Sequence, residues 1–329
     1  MRSEKSFFYM SILTLFLTFN LLSCGGGGSG GVGGMLSPAK EITAFSFTVS
    51  NNAVLTEDAL GIIDGTNITV LVPDGTDVTA LIATFATTGI SVTVDGTTQT
   101  SGTTANDFTS PVTYRVRAED NTTRDYIVTV ILVTKLTLNP VWDFYINRTY
   151  YTDTDPISVM GHGIDPHGTS ASGSTGSATG TTGSPPRPYL NVFKLLYNFN
   201  IAALSGRTVH RAYVRVYLYD ITGSPENAVL ENIYYGDTDG FPSGLRNYAN
   251  EFDGYIQSPS ITDTAATNSV GWVEFDVTAK LRADVDADRK NSQFRLTHEN
   301  NMNLLNFFCD WYMVHHADNK PELVVLYEH

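Results

Sequence analysis

The sequence predicts an all-β protein built as two β-sandwich domains, and three observations predict it. Beyond the N-terminal segment, apolar residues do not recur at the 3.6-residue spacing of an amphipathic helix over any sustained stretch. The 329-residue chain instead breaks into short runs rich in Val, Ile, Thr, Tyr and Phe in which apolar and polar residues alternate, the pattern of a strand with one buried face. Gly, Asp, Asn and Pro separate these runs, including the pairs Asp64-Gly65, Asp74-Gly75 and Asp95-Gly96 that suit tight turns. The length suits two such domains, with a break near Lys135 to Asn139.

The N-terminal segment is a separate element. Arg2 and Lys5 precede an apolar stretch from Phe7 to Leu22 interrupted by Ser11, Thr14, Thr18 and Asn20. A basic start followed by a short apolar run is the pattern of an export signal, and the run is too short and too interrupted for a membrane span. Its close, Leu21-Leu22-Ser23-Cys24, resembles the lipobox of bacterial lipoproteins. That resemblance implies cleavage of residues 1–23 as a signal peptide and diacylation of Cys24, giving the double-chain (palmitate-type) anchor that holds a protein stably to a membrane. Residues 24–39 then form a lipidated linker whose core, Gly25 to Gly34, reads GGGGSGGVGG. Such a composition buries nothing and stays a coil, holding the first domain roughly 15–20 Å from the lipid. Gly25 after the anchor, rather than the aspartate linked with inner-membrane retention, points to the outer membrane of the cell envelope and does not decide the leaflet.

Charge and cysteine content exclude several function classes. The net charge is −14, and losing the leader with Arg2, Lys5 and Glu4 leaves 18 basic against 33 acidic residues, near −15. Such a surface repels nucleic acid. With Cys24 committed to lipid, Cys309 has no partner for an internal disulfide. The alternation in Leu304 to Trp311 makes it a small buried hydrophobe.

The first domain spans 40–134. Its strands are Ile42 to Val49, Ile68 to Val72, Leu81 to Phe85, Ser91 to Val94, Val112 to Ala118 and Tyr126 to Val133. The segments Ile42-Thr43-Ala44-Phe45-Ser46-Phe47, Val72-Pro73-Asp74-Gly75-Thr76-Asp77, Asp107-Phe108-Thr109-Ser110-Pro111-Val112 and Tyr126-Ile127-Val128-Thr129-Val130 resemble the cadherin-like or immunoglobulin-like repeat of bacterial surface lipoproteins. The resemblance implies a spacer or adhesive module and brings no catalytic residues. Its Asp-rich turns are read as turn formers rather than calcium ligands.

The second domain spans 136–329, with Gly168 to Ser184, almost entirely Gly, Ser, Thr and Ala, read as a disordered insertion. Leu195, Tyr197, Phe199 and Ile201 alternate on one strand, Ala212, Val214, Val216 and Leu218 on the next, and Val273, Phe275 and Val277 on a third. Leu323 to Tyr327 closes the domain. The pieces Ala212 to Tyr219, Gly271-Trp272-Val273-Glu274-Phe275-Asp276-Val277-Thr278 and Lys320-Pro321-Glu322-Leu323 resemble the DNRLRE-type domain, a jelly-roll sandwich akin to carbohydrate-binding modules. That resemblance implies a non-catalytic module of the kind found beside polysaccharide-active enzymes. A structural calcium ion is a further expectation of it.

No catalytic arrangement stands out, so the chain reads as a non-enzyme. The G-x-S-x-G match at Gly27 to Gly31 lies in the linker, without the strand and helix that a nucleophile elbow needs. His162, Asp165 and His167 sit at zinc-compatible spacing but beside the low-complexity insertion, without rigid support. Asp284, Asp286 and Asp288 occupy the first positions of a calcium loop, yet Arg289 and Arg295 stand where Gly and Glu are required, so a polar bend is the expectation there. The strongest binding signal is on the strand Arg211 to Asp220, where Tyr213, Arg215, Tyr217 and Tyr219 share the face opposite the apolar set. Phenols and a guanidinium on one pleated face make an amphipathic platform on which sugars stack. A lipid-anchored binding or adhesion module for a glycan or glycoprotein is therefore expected. A structural spacer or assembly component, and a non-catalytic accessory of polysaccharide degradation, stay open beside it.

Overall fold

The computed structural model describes residues 36–151, 159–161, 164–166, 173–182, 187–222, 227–237, 256–265, 270–298, 310–314 and 319–328. Cys24, His162, His167 and Cys309 lie outside them. In the first part of the chain the strands are β1 (Ile42–Phe47), β2 (Ala59–Asp64), β3 (Asn67–Pro73), β4 (Leu81–Thr87), β5 (Ser91–Val94), β6 (Thr97–Thr98), β7 (Ala105–Asn106), β8 (Val112–Arg117) and β9 (Thr123–Leu138). They continue with β10 (Trp142–Tyr151), β11 (Val159–Gly161), β12 (Ile164–Pro166), β13 (Gly173–Thr182), β14 (Arg187–Asn200), β15 (Thr208–Thr222) and β16 (Ala228–Ile233). The last are β17 (Ile256–Ala265), β18 (Gly271–Asp276), β19 (Asn291–His298), β20 (Asp310–Val314) and β21 (Glu322–Glu328), with one α-helix among the described residues, α1 (Thr278–Asp286). The predicted all-β class holds.

The first sandwich sets the sheet β2–β3–β9–β8–β5–β6 against β1–β4–β7. Alternation decides which residues meet: on β3, Ile68, Val70 and Val72 point inward, and on β8, Val112, Tyr114 and Val116 do. The core is an aromatic nest. Phe45 meets Phe47 and Tyr114 edge-on at 5.7 and 5.3 Å between ring centroids, and Phe47 meets Phe108 at 4.9 Å, in the geometry that opposed ring quadrupoles favour. Asn106 donates to the buried Tyr114 hydroxyl at 3.1 Å, and burial pushes that phenol's ionisation well above its ordinary range.

The Asp-rich turns are accounted for by local chemistry. In Asp77-Val78-Thr79, Asp107-Phe108-Thr109 and Asp120-Asn121-Thr122 the backbone N–H of the threonine donates to the aspartate two residues earlier at 3.0, 2.9 and 2.9 Å. These are Asx turns. The β5–β6 hairpin turns on Asp95-Gly96, both with positive φ (48° and 81°), as its two-residue turn requires.

The second sandwich is larger. One sheet runs β10–β14–β19–β16–β17; the other runs β9–β21–β15–β18. Between them lie Leu195, Tyr197 and Phe199 of β14, Phe294 and Leu296 of β19, Val214 and Val216 of β15, Phe275 of β18, and Leu323 and Val325 of β21. The helix α1 closes one end with Leu281 and Val285, one turn apart on its buried side.

Three features differ from the sequence reading. The run 168–184, expected to be a disordered insertion, contains a strand. Its residues Gly173–Thr182, β13, pair antiparallel with β14 on one side and β20 on the other. Ladder hydrogen bonds come from the backbone and need no apolar side chain, so a Gly/Ser/Thr composition cannot by itself exclude a strand with partners on both edges. The bend expected at Asp284 to Asp288 is the end of α1, because Leu281 and Val285 have a core to dock against. Finally, where the run of strands is expected to end, near Lys135 to Asn139, β9 continues to Leu138. Its earlier residues pair with β3 and β8, and Thr134 to Leu138 pair with β21, with Leu136 and Leu138 packing on the second core.

Candidate functional site

The candidate site is the outer face of the sheet formed by β18, β15 and β21. Pairing register builds it in rows. Tyr217 lies opposite Trp272, Arg215 lies between Glu274 and Glu322, and Tyr213 lies between Asp276 and Val324. Directly opposed residues share a face, so the inward Val214, Val216, Val273 and Phe275 force this second set outward.

At one end the aromatic pair is accessible. Trp272 keeps 39% of its surface exposed, and its ring stands edge-on to Tyr217 at 5.4 Å and 79°. The Arg215 guanidinium lies 4.6 Å from the Trp272 ring centroid, a cation–π contact worth about 0.5–1 kcal/mol at such a site. Arg215 is in turn held by Glu322, with Nε donating at 2.6 Å and Nη2 at 2.5 Å to one carboxylate oxygen. The indole is thus braced from two directions and still offers apolar surface to solvent.

The four residues singled out from the sequence do not form one uniform platform. Tyr213 is buried, 8% exposed, with the Arg211 guanidinium 5.7 Å from its ring centroid. Burial raises its phenol pKa, and the Glu274 and Glu57 carboxylates add to that while Arg215 and Arg211 oppose it. Arg215 and Tyr217 are half-buried, engaged with Trp272 as described. Tyr219 lies on β15 where its register against β20 shifts between Leu218 and Asp220, and its side chain falls outside the described set. Trp272 is the residue that sequence reasoning passes over. Its signal is present, since it begins the exposed alternation on the strand whose buried alternation, Val273-Phe275-Val277, is plain in the sequence.

A second polar cluster is structural. Asp284, 1% exposed, accepts from Lys280, from Arg289 Nη1 at 2.7 Å and from Ser292 Oγ at 2.6 Å. Burial lowers the Lys280 pKa, against the opposing pull of Asp284. Tyr234 is stacked by the Arg289 guanidinium at 3.9 Å, and Asp237 accepts from the backbone N–H groups of Lys290 and Asn291 at 2.8 and 3.1 Å. These contacts tie α1 and the chain after β16 to the start of β19. Among the described residues no three His, Cys, Asp or Glu side chains converge as metal ligands.

Fold and site together define a class: an all-β protein of stacked sandwiches carrying a braced, part-exposed tryptophan on an outer sheet face. Residues 42–130, nearly the whole first sandwich, match the family described as "SGBP, N-terminal". Among solved structures, one from Bacteroides thetaiotaomicron whose name assigns it to the glycoside hydrolases is 15% identical over 88% of this chain and 97% of its own, with a TM-score of 0.24. Another, the CBM51-2 and INT domains of Clostridium perfringens ZmpB in complex with GlcNAc, is 13% identical over 80% of this chain and 48% of its own, with a TM-score of 0.20. Scores of this size do not describe a common fold. No curated protein matches the chain.

Proposed function

We propose that the chain is a non-catalytic, glycan-binding protein of the cell surface, lipid-anchored at Cys24, with Trp272 and Tyr217 as its contact surface. The single observation that carries the reading is the part-exposed Trp272, braced by Arg215 and Tyr217 on a sheet face of a sandwich. The match of residues 42–130 to a family of surface glycan-binding proteins supports it. A pyranose ring presents an apolar C–H face to such an indole, and its hydroxyl rim finds acceptors in Glu274 and Glu322 beside it. Because the bracing is built before a ligand arrives, little side-chain freedom is lost on binding. Tyr213 serves packing. Stacking on one or two rings is weak per site. Many anchored copies on one envelope make it effective through avidity, which is how such a module would mediate adhesion.

The test is retention of the full chain on a panel of soluble polysaccharides, with calcium and with chelator. Trp272→Ala should lower retention on the responsive polysaccharide by at least about ten-fold, the order of one lost aromatic contact, while the melting temperature moves by only a few degrees. Unchanged retention in Trp272→Ala and in Tyr217→Ala would end this assignment of the site. Loss of retention with chelator alone would put a calcium ion into the account.

A second reading is favoured by a different observation. Leu60 and Ile62 of β2 are each 57% exposed, and Ile127 of β9 is 45% exposed. Apolar residues on the outside of the first sandwich suit a protein contact, as a spacer or assembly component of the envelope would use. Leu60→Lys with Ile62→Lys would weaken co-isolation of envelope partners and leave polysaccharide retention intact.

A further inference from the structure

We infer that the Trp272 strip selects uncharged glycans and turns away those carrying carboxylate or sulfate groups; this rests on the glycan-binding reading above and narrows its ligand class. An arginine in an aromatic strip ordinarily invites the opposite expectation, an anion hook. Here the guanidinium is already engaged. Both Nε and Nη2 of Arg215 are directed to the Glu322 carboxylate, at 2.6 and 2.5 Å, and the guanidinium lies 4.6 Å from the Trp272 ring centroid. A second anion meeting Arg215 would compete with a bonded internal carboxylate.

The surroundings tilt the field further. Glu274, on the row beside Arg215, is exposed, and so is Asp276 on the next row. Asp263 is adjacent, its Oδ2 accepting from the Asp276 backbone N–H at 2.7 Å. The face therefore sets the carboxylates of Asp263, Glu274, Asp276 and Glu322 against the guanidiniums of Arg211 and Arg215. Arg211 is itself drawn onto the Tyr213 ring. That excess of negative charge on the face disfavours an acidic ligand and leaves an uncharged one unaffected. Carboxylates are also the acceptors that sugar hydroxyls use, so the groups that repel an acidic sugar are those that hold a neutral one.

The test compares polysaccharides that differ only in charge. The full chain is applied to an array of neutral polysaccharides, polyuronates and sulfated glycans, and each neutral polysaccharide retained is then carboxymethylated and measured again. The expected result is retention by neutral members, with carboxymethylation weakening binding about five-fold or more at low salt, the size of two excess charges at roughly 8 Å in water. In Glu274→Gln, or in about 0.5 M salt, where exposed charges are screened, the gap should narrow to about two-fold. Polyuronates or sulfated glycans binding as well as neutral ones would overturn the charge selection while leaving glycan binding in place. So would a gap that neither salt nor Glu274→Gln alters. Retention of no array member would remove the glycan-binding reading and this inference with it.

Discussion

Asp284 gives the sharpest single test of how the second sandwich is held together. It is 1% exposed and its carboxylate receives Lys280, Arg289 and Ser292, with the Lys280 side chain only 4% exposed. Replacing Asp284 with asparagine keeps the volume and removes the charge. It also turns one acceptor oxygen into an NH₂ donor facing groups that themselves donate. A buried ammonium left without its counter-charge costs about 3–5 kcal/mol. For a unit of this size each kcal/mol moves the midpoint by about 2–4 °C, so a fall of roughly 6–20 °C is expected for the transition that includes β19. The assay is calorimetry with hydrogen exchange followed at Asn291–His298, which assigns the transition to this sandwich. Lys280→Met combined with Asp284→Leu removes both charges and should recover most of the loss, because well-packed apolar replacements of buried pairs are often neutral or stabilising. A shift below about 1 kcal/mol in Asp284→Asn, or a double variant as unstable as the single one, would refute the argument.

Other expectations concern the first sandwich and the anchor. A Cβ at Gly89 would lie 2.3 Å from Val116 Cγ1 and 2.8 Å from the Arg117 carbonyl oxygen, so Gly89→Ala should destabilise by about 1–3 kcal/mol, read as a lower urea midpoint. Asp77, Asp107 and Asp120 are held below the ordinary aspartate value of 3.8 by hydrogen bonds from Thr79, Thr109 and Thr122, and Asp125 by Arg115. Their contribution to stability is thus present above pH 3.8 and lost as pH falls through the lower folded-state values. Melting curves between pH 5 and pH 2 should show that loss, and it should shrink when the three threonines are replaced by alanine; an unchanged slope would count against it. Cys24→Ser should move the protein from the detergent phase to the aqueous phase on phase partitioning, and a variant that stays with detergent would remove the lipid anchor from the proposal.

Much of this protein is legible in its sequence because a strand's two faces are written in alternate residues. The all-β class, the inward sets on β14, β15 and β18, and the turns at Asp64-Gly65 and Asp95-Gly96 all depend on neighbours within a few positions. So does the outward placement of Tyr213, Arg215 and Tyr217. What alternation cannot say is what stands opposite. That Trp272 meets Tyr217, that Glu322 takes Arg215, and that Tyr213 is covered are consequences of strand register between segments about fifty to a hundred residues apart. Register is settled by the whole core's fit rather than by any local pattern. The same holds for β13, whose glycines and threonines become a strand because β14 and β20 flank it, and for β9, which serves both sandwiches because its partner changes from β3 to β21 between Val133 and Thr134. Local sequence determined which residues face out; the pairing of distant strands decided which of those meet to make a site.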